Sequence, residues 1–199
     1  RDVRLDLMAT LYTLPGRPIA DIPVIETPRL RLRAHRIEDY DRMFSMWQDP
    51  AYYKFIGNRA RSSGEVWMTL QRGIGSWALF GLGYWTIADK DTDQHIGEGG
   101  FALNKRAEID PPMPMIPEIG WGIRSEYWGK GLVKEAMRAA VGWGLSQDPG
   151  FPYQCIISQG HTASESVARS LSMTILRSVA YNGDASDMTN AWFRTSLTD

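Results

Sequence analysis

Hydrophobic and polar residues follow regular patterns in the first half of the chain. Strict alternation in Arg29-Leu-Arg-Leu-Arg33 predicts a strand with its leucines on one face. Apolar side chains then recur at the spacing of an amphipathic helix, at Tyr40, Met43, Phe44 and Trp47. Asp49-Pro50 should end that helix. A capping-box pattern, Ser62 with Glu65, precedes a second helical stripe formed by Trp67, Leu70, Ile74 and Trp77.

Strand patterns dominate the middle of the chain. Residues 84–88 predict a strand, the polar residues 89–93 a turn, and residues 95–101 the strand that returns from it. The prolines of Pro111–Met115 exclude a helix or a central strand, because proline lacks an N–H donor, so a loop is predicted there. Residues 117–123 then predict a further strand.

The last third alternates between helices and strands. An apolar face predicts a long helix over residues 129–143, with Gly144 and Pro149 marking its end and the loop beyond. A strand over 153–158, a helix over 164–171 and two weaker strand patterns near 175–180 and 191–195 follow. Hairpins before a β-α-β unit predict an α/β (α+β) fold with a mixed sheet.

Composition fits one globular domain. The chain has 199 residues, 43% hydrophobic and 23% charged, and we expect an N-terminal arm over residues 1–23 and a single domain over 24–199. A net charge of −1 gives no basic field for nucleic acid. No apolar run approaches the roughly 20 residues that cross a membrane, and the start lacks a signal-peptide pattern. The single cysteine, together with the lack of a membrane-crossing run and of a signal-peptide pattern, leads us to expect a cytoplasmic protein.

The segment Trp128-Gly-Lys-Gly-Leu132 stands between a predicted strand and a predicted helix. Two glycines at this place let several backbone N–H groups face outward beside the positive end of the helix dipole, which suits a phosphate. An ordinary tight turn that needs glycine is the alternative. The segment is neither a P-loop nor a dinucleotide fingerprint, because Leu132 follows the second glycine and Lys134 replaces the third.

The strand before this turn carries glycines on one face. Alternation places Glu118, Gly120 and Gly122 on one side and Ile119, Trp121 and Ile123 on the other. Glycines within a strand often mark the close approach of a ligand or of another backbone. A bare glycine face that leads to a phosphate turn suits a long ligand with a pyrophosphate at one end.

These motifs, with several others in order, resemble the GNAT superfamily of acyl-CoA-dependent N-acyltransferases. The most similar branch is that of the ribosomal-protein amino-terminal acetyltransferases. The resemblance covers roughly residues 24–197 and rests on these segments: 25–33, Glu38-Asp39, 47–50, 96–101, 118–123, 127–132, Glu135-Ala136 and 163–171. It implies a mostly antiparallel sheet flanked by helices and splayed between the strand ending near Ile123 and the strand starting near Tyr153.

The resemblance also implies the co-substrate and its site. Acetyl-CoA would donate the acetyl group, with its pantetheine chain bonded to the backbone at Ile123 and Arg124. Its pyrophosphate would be held by backbone amides of Trp128, Gly129, Lys130, Gly131, Leu132 and Val133. His161 and Ser164 would border the thioester. The chain departs from the family by having His161 for the usual Asn, Ser172 for the usual Gly, Glu126 for Arg or Gln, and no Tyr near Ala168.

The candidate catalytic residues are Glu118, Ser164 and His161. Glu118 is proposed as the base on the glycine face, or else it is a salt-bridged strand carboxylate. Ser164 either donates to the departing sulfur or caps the following helix, and the cap is favoured. His161 either transfers protons or has a structural role. Glu98 and Tyr181 are alternatives for the acid–base groups.

The expected reaction is acetyl transfer from acetyl-CoA to a primary amine, on a peptide amino terminus or a small molecule. The competing hypotheses are a weakly catalytic acyl-CoA-binding domain and a generic nucleotide-binding domain. No cluster has metal-ligand spacing, so no metal is expected. A solvated face is the preferred interpretation of Arg29, Arg31 and Arg33. If the protein self-associates, we expect a homodimer.

Overall fold

The structure, a computed structural model, describes residues 22–106, 109–110, 113–181 and 184–194. Its strands are β1 (Ile25–Glu26), β2 (Leu30–Arg33), β3 (Tyr84–Asp89), β4 (His95–Ala102), β5 (Ile109–Asp110), β6 (Glu118–Ile123), β7 (Gln154–Ser158), β8 (Met173–Tyr181) and β9 (Asp184–Arg194). Its helices are α1 (Tyr40–Trp47), α2 (Pro50–Tyr53), α3 (Ser63–Phe80), α4 (Leu132–Gln147) and α5 (Thr162–Ser170). Short 3₁₀ turns lie at Ile37–Asp39 and Ser125–Tyr127.

The nine described strands form one sheet in the order β1-β2-β3-β4-β6-β7-β9-β8-β5. Each neighbouring pair is antiparallel except β6 and β7, which are parallel. These two strands share a single register pair, Glu118 with Gln154, and no further pair joins them toward their carboxyl ends, both of which lie in the described ranges. The predicted mixed, mostly antiparallel and splayed sheet is therefore confirmed.

Helices cover both faces of the sheet. α4 packs on β4 and β6, and the core on this side contains Trp85, Phe101, Met137 and Trp192. α1 and α3 pack on the other face, where a second cluster contains Met43, Met46, Trp47, Val66 and Leu70. Half of each predicted stripe is fully buried, namely Met43 and Trp47 on α1 and Leu70 and Trp77 on α3, and the other half is partly buried.

The helix boundaries follow from local chemistry. α3 begins at a complete capping box, in which Ser62 Oγ accepts from the N–H of Glu65 at 3.3 Å and Glu65 Oε2 accepts from the N–H of Ser62 at 2.8 Å. It ends at Gly81, which has φ 67°. α1 ends before Pro50 as predicted, but Pro50 also begins α2, since the first helical position needs no N–H.

Three expectations need correction. α4 begins at Leu132 rather than at residue 129, because Gly129 and Gly131 have φ values of 73° and 74°. The strands β1 and β5 were not predicted, since two residues carry no pattern. Arg33 is buried rather than solvated: it is 3% exposed and bonds Asp39 through two guanidinium nitrogens.

The predicted N-terminal arm lies outside the described residues except at its end. There the carbonyl of Pro23 accepts a hydrogen bond from the indole of Trp85 at 2.8 Å, so the chain enters the domain against the core. Of the predicted loop at 111–115, residues 111 and 112 also lie outside the described part. Among the described helices, none has the length and apolar character to span a membrane.

Candidate active site

The turn between β6 and α4 exposes unpaired backbone donors. Gly131 stands at the N-cap of α4 with φ 74°, and no side chain caps the helix. The residues from Trp128 to Gly131 are exposed. Because the first turn of a helix leaves its N–H groups without partners and carries positive potential, this turn is suited to bind a phosphate. The predicted geometry of the turn is thus present.

The segment before β2 braces this turn. Arg29 donates to the carbonyl oxygen of Lys130 at 2.8 Å and forms an ion pair with Glu135 on α4 at 2.6 Å. Thr27 Oγ1 donates to the same carboxylate at 2.7 Å. Sequence reasoning treated Arg29 as part of a strand face and missed this role, because its partners lie more than 100 positions away.

The open edge of β6 faces the gap between β6 and β7. The N–H of Arg124 donates to the carbonyl of Ile96 on the β4 side at 2.9 Å. Because antiparallel partners alternate, the N–H and carbonyl of Ile123 point the other way, into the gap. That carbonyl accepts from the indole of Trp128 at 2.8 Å. The backbone group that Ile123 leaves for a ligand is therefore its N–H.

The glycine face of β6 is not bare. A side chain on Gly120 would collide with the phenol oxygen of Tyr84, and one on Gly122 with the phenol oxygen of Tyr52. The two glycines are therefore explained by the close approach of two phenols from β3 and α2. The predicted alternation of faces holds, but the space expected for a ligand on this face is filled by phenol rings.

Glu118 lies on the glycine face at the closed end of the gap. It is 8% exposed and accepts hydrogen bonds from Arg106 at both oxygens, one from Nε at 3.0 Å and one from Nη2. The arrangement is a bidentate ion pair, which restrains the orientation of the carboxylate. Glu118 is thus a salt-bridged strand carboxylate, one of the two roles considered for it.

His161 and Ser164 lie together on the other side of β6, where α5 begins. The indole of Trp121 donates to Ser164 Oγ at 3.3 Å, and Ser164 Oγ lies 3.4 Å from Nε2 of His161. The residue at the N-cap of α5 is His161, and Ser164 lies within the first turn, so the favoured N-cap role for Ser164 is wrong. Glu118, on the opposite face, is not part of this group.

Residues 49–55, which include α2, contact both sides of the gap at its open end. The ring of Phe55 stacks on that of His161 with centroids 4.2 Å apart, and its carbonyl accepts from Ser158 Oγ at 3.4 Å. Asp49 accepts from Ser125 Oγ at 2.6 Å on the β6 side. Burial under this segment lowers the pKa of His161, so its imidazole is neutral near pH 7. Residues 49–55 therefore contact the end of β7 and the turn that follows β6.

Two tyrosines and a glutamate form a polar group that sequence reasoning did not assemble. Glu98 on β4 is 5% exposed, and burial raises the pKa of its carboxyl group. Burial also raises the pKa of the Tyr52 and Tyr84 phenols, which stay protonated at neutral pH. Glu98 was only an alternative, and no pattern linked it to tyrosines on other elements. The side chain of Tyr181, the other alternative, lies outside the described part.

The residue types that bind metal ions do not cluster in the described residues. In the part of the chain that the structure describes, no group of three or more His, Cys, Asp and Glu side chains is placed to hold a metal ion. The one cysteine, Cys155, is buried on β7, and burial raises the pKa of its thiol.

A sheet split between two parallel strands, with an uncapped glycine turn at the end of one of them, is the arrangement that the resemblance to acyl-CoA-dependent transferases implies. Residues 29–174 match the model of the acetyltransferase (GNAT) domain. The chain therefore belongs to the GNAT family and is an acetyltransferase, and enzymes of this family use acetyl-CoA.

Similar proteins have related sequences or the same fold. The uncharacterized protein YkkB of Bacillus subtilis is 26% identical over 74% of this chain and 83% of its own length. A GNAT-family acetyltransferase structure from Bordetella pertussis has a TM-score of 0.75 at 24% identity, over 87% of this chain and all of the other. A Salmonella typhimurium enzyme, described as modifying the N-terminal serine of a ribosomal protein, has a TM-score of 0.68 at 16% identity, over 86% and 98%.

Another similar structure contains the co-substrate. RimL, a ribosomal-protein α-N-acetyltransferase solved with coenzyme A, has a TM-score of 0.70 at 16% identity, over 89% of this chain and 100% of that one. At such identities the likeness shows a common fold. The branch suspected from the sequence is thus present among the structural neighbours.

Proposed function

We propose that the protein transfers the acetyl group of acetyl-CoA to a primary amine, on a peptide amino terminus or a small molecule, in the cytoplasm. The observation that carries this proposal is the uncapped turn Trp128–Val133 at the open end of the gap between β6 and β7. Structural neighbours that acetylate ribosomal proteins support an acceptor of the peptide type.

In this proposal the chain holds acetyl-CoA mainly through its backbone. The N–H groups from Gly129 to Val133 bind the pyrophosphate, and the N–H of Ile123 binds the pantetheine chain at the gap. The N–H groups of Trp128 and Arg124, which were also predicted to bind the co-substrate, donate instead to the carbonyls of Ser125 and Ile96 at 3.1 and 2.9 Å. The side chain of Lys130 donates to the carbonyl of Glu126 at 3.0 Å, so its charge stays beside the turn. Acetyl-CoA supplies a thioester that an amine can attack.

The remaining groups act at the reacting end. Ser164 and His161 border the thioester, where the Ser164 hydroxyl, 3.3 Å from the Trp121 indole, is placed to donate to the departing sulfur. The acceptor must lose a proton before it attacks. That proton goes to a carboxylate on the glycine face, where Glu118 and Glu98 both lie.

The test is a thiol-release assay with acetyl-CoA and a panel of amines that contains peptides with free amino termini, polyamines and aminoglycosides. The expected result is CoA release that depends on at least one amine, with a mass gain of one acetyl group on that amine. Binding of acetyl-CoA without release for any amine would favour the acyl-CoA-binding domain. Tighter binding of ATP than of acetyl-CoA would overturn both hypotheses.

A further inference from the structure

A row of residues crosses the sheet on the glycine face. Thr86, Glu98 and Gly122 are register partners on β3, β4 and β6. Partners on adjacent antiparallel strands have β-carbons about 4.5–5.5 Å apart. The phenol oxygen of Tyr52 occupies the place of a side chain on Gly122. This phenol therefore lies beside the side chain of Glu98 and against Gly122 of β6, the strand that borders the gap.

Glu98 has unused hydrogen-bonding capacity in a buried position. Its Oε2 makes no hydrogen bond of ordinary geometry to the described residues, and the indole N–H of Trp47, which also lacks such a bond, lies close enough to lower the pKa of this carboxyl group. The Tyr52 hydroxyl, on a side chain 6% exposed, likewise has no partner in the described ranges. Buried polar groups are nearly always paired, so an unpaired carboxylate beside an unpaired phenol needs an explanation.

The charges around Glu98 come from several elements. Burial raises the pKa of its carboxyl group, and the guanidinium groups of Arg61 and Arg72 act in the opposite direction. The titratable and charged groups near the row include Tyr52 on α2, Arg61 before α3, Arg72 on α3, Tyr84 on β3, Arg106 after β4 and Glu118 on β6. At the other end of the row, His35 and Asp39 hydrogen-bond the side chain of Thr86 at 2.8 and 3.0 Å. A carboxylate whose pKa is raised toward neutral pH is a better general base than an ordinary one.

Glu118 is less suited to this role. Arg106 occupies both of its oxygens, so an incoming proton has to displace a bidentate guanidinium. Glu98 is joined to no cation within ion-pair distance among the described residues. Of the two carboxylates on the glycine face, Glu98 alone keeps an oxygen free for proton transfer.

We propose that Tyr52 and Glu98 form the pair that takes the proton from the acceptor amine. This proposal rests on the proposed acetyl transfer. The ammonium group gives one proton to the phenol oxygen of Tyr52, while that phenol passes its own proton to Glu98 through one bridging water molecule or after the two groups close to hydrogen-bond distance. The freed nitrogen then bonds to the thioester carbon, the carbon–sulfur bond breaks, and the sulfur takes the second proton of the nitrogen. Glu98 finally releases its proton to solvent.

The experiment compares Glu98→Gln, Tyr52→Phe and the double variant with the wild type, using an amine that the wild type acetylates. Each single variant should lower kcat/KM by at least about 100-fold, the usual scale of general base catalysis. The double variant should fall no further, because both residues serve one transfer. The acidic limb of the pH profile should disappear in Glu98→Gln, while acetyl-CoA affinity stays unchanged. Tyr40→Phe, which removes an exposed phenol bonded to Ser63, is the control.

Several outcomes separate the possibilities. Full activity in Glu98→Gln together with a large loss in Glu118→Gln would overturn the pair and make Glu118 the base. Full activity in Tyr52→Phe alone would remove the phenol from the pathway. If Glu98→Gln melts at a much lower temperature, Tyr52→Phe and the wild-type pH profile decide, and an acidic limb at ordinary carboxylate pH would contradict the proposal. Absence of any amine-dependent release in the wild type would overturn the proposed function itself.

Discussion

The indole of Trp121 on β6 donates to the hydroxyl of Ser164 on α5 at 3.3 Å. This bond orients the hydroxyl at the gap without using its proton. Ser164→Ala is expected to lower kcat about tenfold, since a donor to the leaving sulfur is lost, while acetyl-CoA affinity and melting temperature stay near the wild type. Steady-state kinetics, isothermal calorimetry and thermal unfolding measure these quantities.

The control for that variant lies on the same helix. Ser170 donates its hydroxyl to the carbonyl of Val167 at 2.8 Å and is remote from the gap, so Ser170→Ala should leave kcat unchanged. Equal kcat values for Ser164→Ala and the wild type would show that the serine hydroxyl takes no part in sulfur departure.

The left-handed glycine at the phosphate turn gives a second prediction. Gly129 has φ 73° and open space where an alanine methyl group would stand. Gly129→Ala therefore strains the backbone by about 1–2 kcal/mol without a steric clash and distorts the N–H groups of the turn. Acetyl-CoA affinity should fall by about tenfold or more in a calorimetric titration, since the phosphate donors lose alignment.

Gly81→Ala is the matched control for the turn. Gly81 has φ 67° and equally open space at the end of α3. This variant should lose similar stability but no affinity for acetyl-CoA, because its backbone lies in another connection. An equal loss of affinity in both variants would show that the turn has no specific part in binding CoA.

The buried ion pair between Arg33 and Asp39 gives a third prediction. The two side chains are 4% and 5% exposed, with nitrogen–oxygen distances of 2.8 and 2.9 Å, and Asp93 accepts from the same guanidinium at 3.1 Å. Arg33→Met leaves carboxylates without their partner and should cost about 3–5 kcal/mol in urea unfolding. Arg31→Met, which breaks exposed pairs, should cost less than about 1 kcal/mol. Similar costs for the two would refute the buried pair as a stabilising contact.

A fourth prediction concerns acid stability. Burial lowers the pKa of His95 to about 3, and both of its ring nitrogens lack hydrogen-bond partners among the described residues. Below the unfolded-state pKa of about 6.5, the unfolded chain binds a proton that the folded chain does not. The free energy of unfolding therefore decreases as the pH is lowered. Between pH 7 and pH 4 His95 should remove on the order of 3 kcal/mol.

His95→Leu tests this dependence. The variant should flatten the decline of the urea midpoint between pH 6.5 and pH 4, while His35, whose pKa burial lowers to about 4, keeps its own contribution. Asp39, whose pKa is lowered, continues to act at more acidic pH. An unchanged slope in His95→Leu would mean that His95 is protonated in the folded protein.

The long patterned segments were predictable because their signals are local. The capping box at Ser62, the glycine turn before α4 and the alternation in β6 each lie within a few residues. The family follows from their order along the chain. The departure at Ser172 is also visible in the structure, where this residue has φ 57°, the left-handed conformation that a glycine adopts without cost.

The rest depended on contacts between distant segments. Arg33 is held by Asp39 and also by Asp93, which lies 60 positions away along the chain and shares no pattern with it. The phenols of Tyr52 and Tyr84 explain why residues 122 and 120 are glycines. The sequence of β6 does not indicate that residues of α2 and β3 pack against it. Glu118 looked like a free base because Arg106 belongs to a segment without periodic pattern.

The single register pair between β6 and β7 also affects how the two parts of the sheet are joined. The hydrogen bond from the N–H of Gln154 to the carbonyl of Pro117, at 3.0 Å, stands where a sheet of five strands meets one of four. Beyond it, two strand edges face each other without a partner among the described residues. An extended chain with amides of its own, lying between them, acts as an additional strand. Under the proposed function, acetyl-CoA bound in this gap joins the two parts of the sheet, and saturating acetyl-CoA is expected to raise the free energy of unfolding of the whole domain.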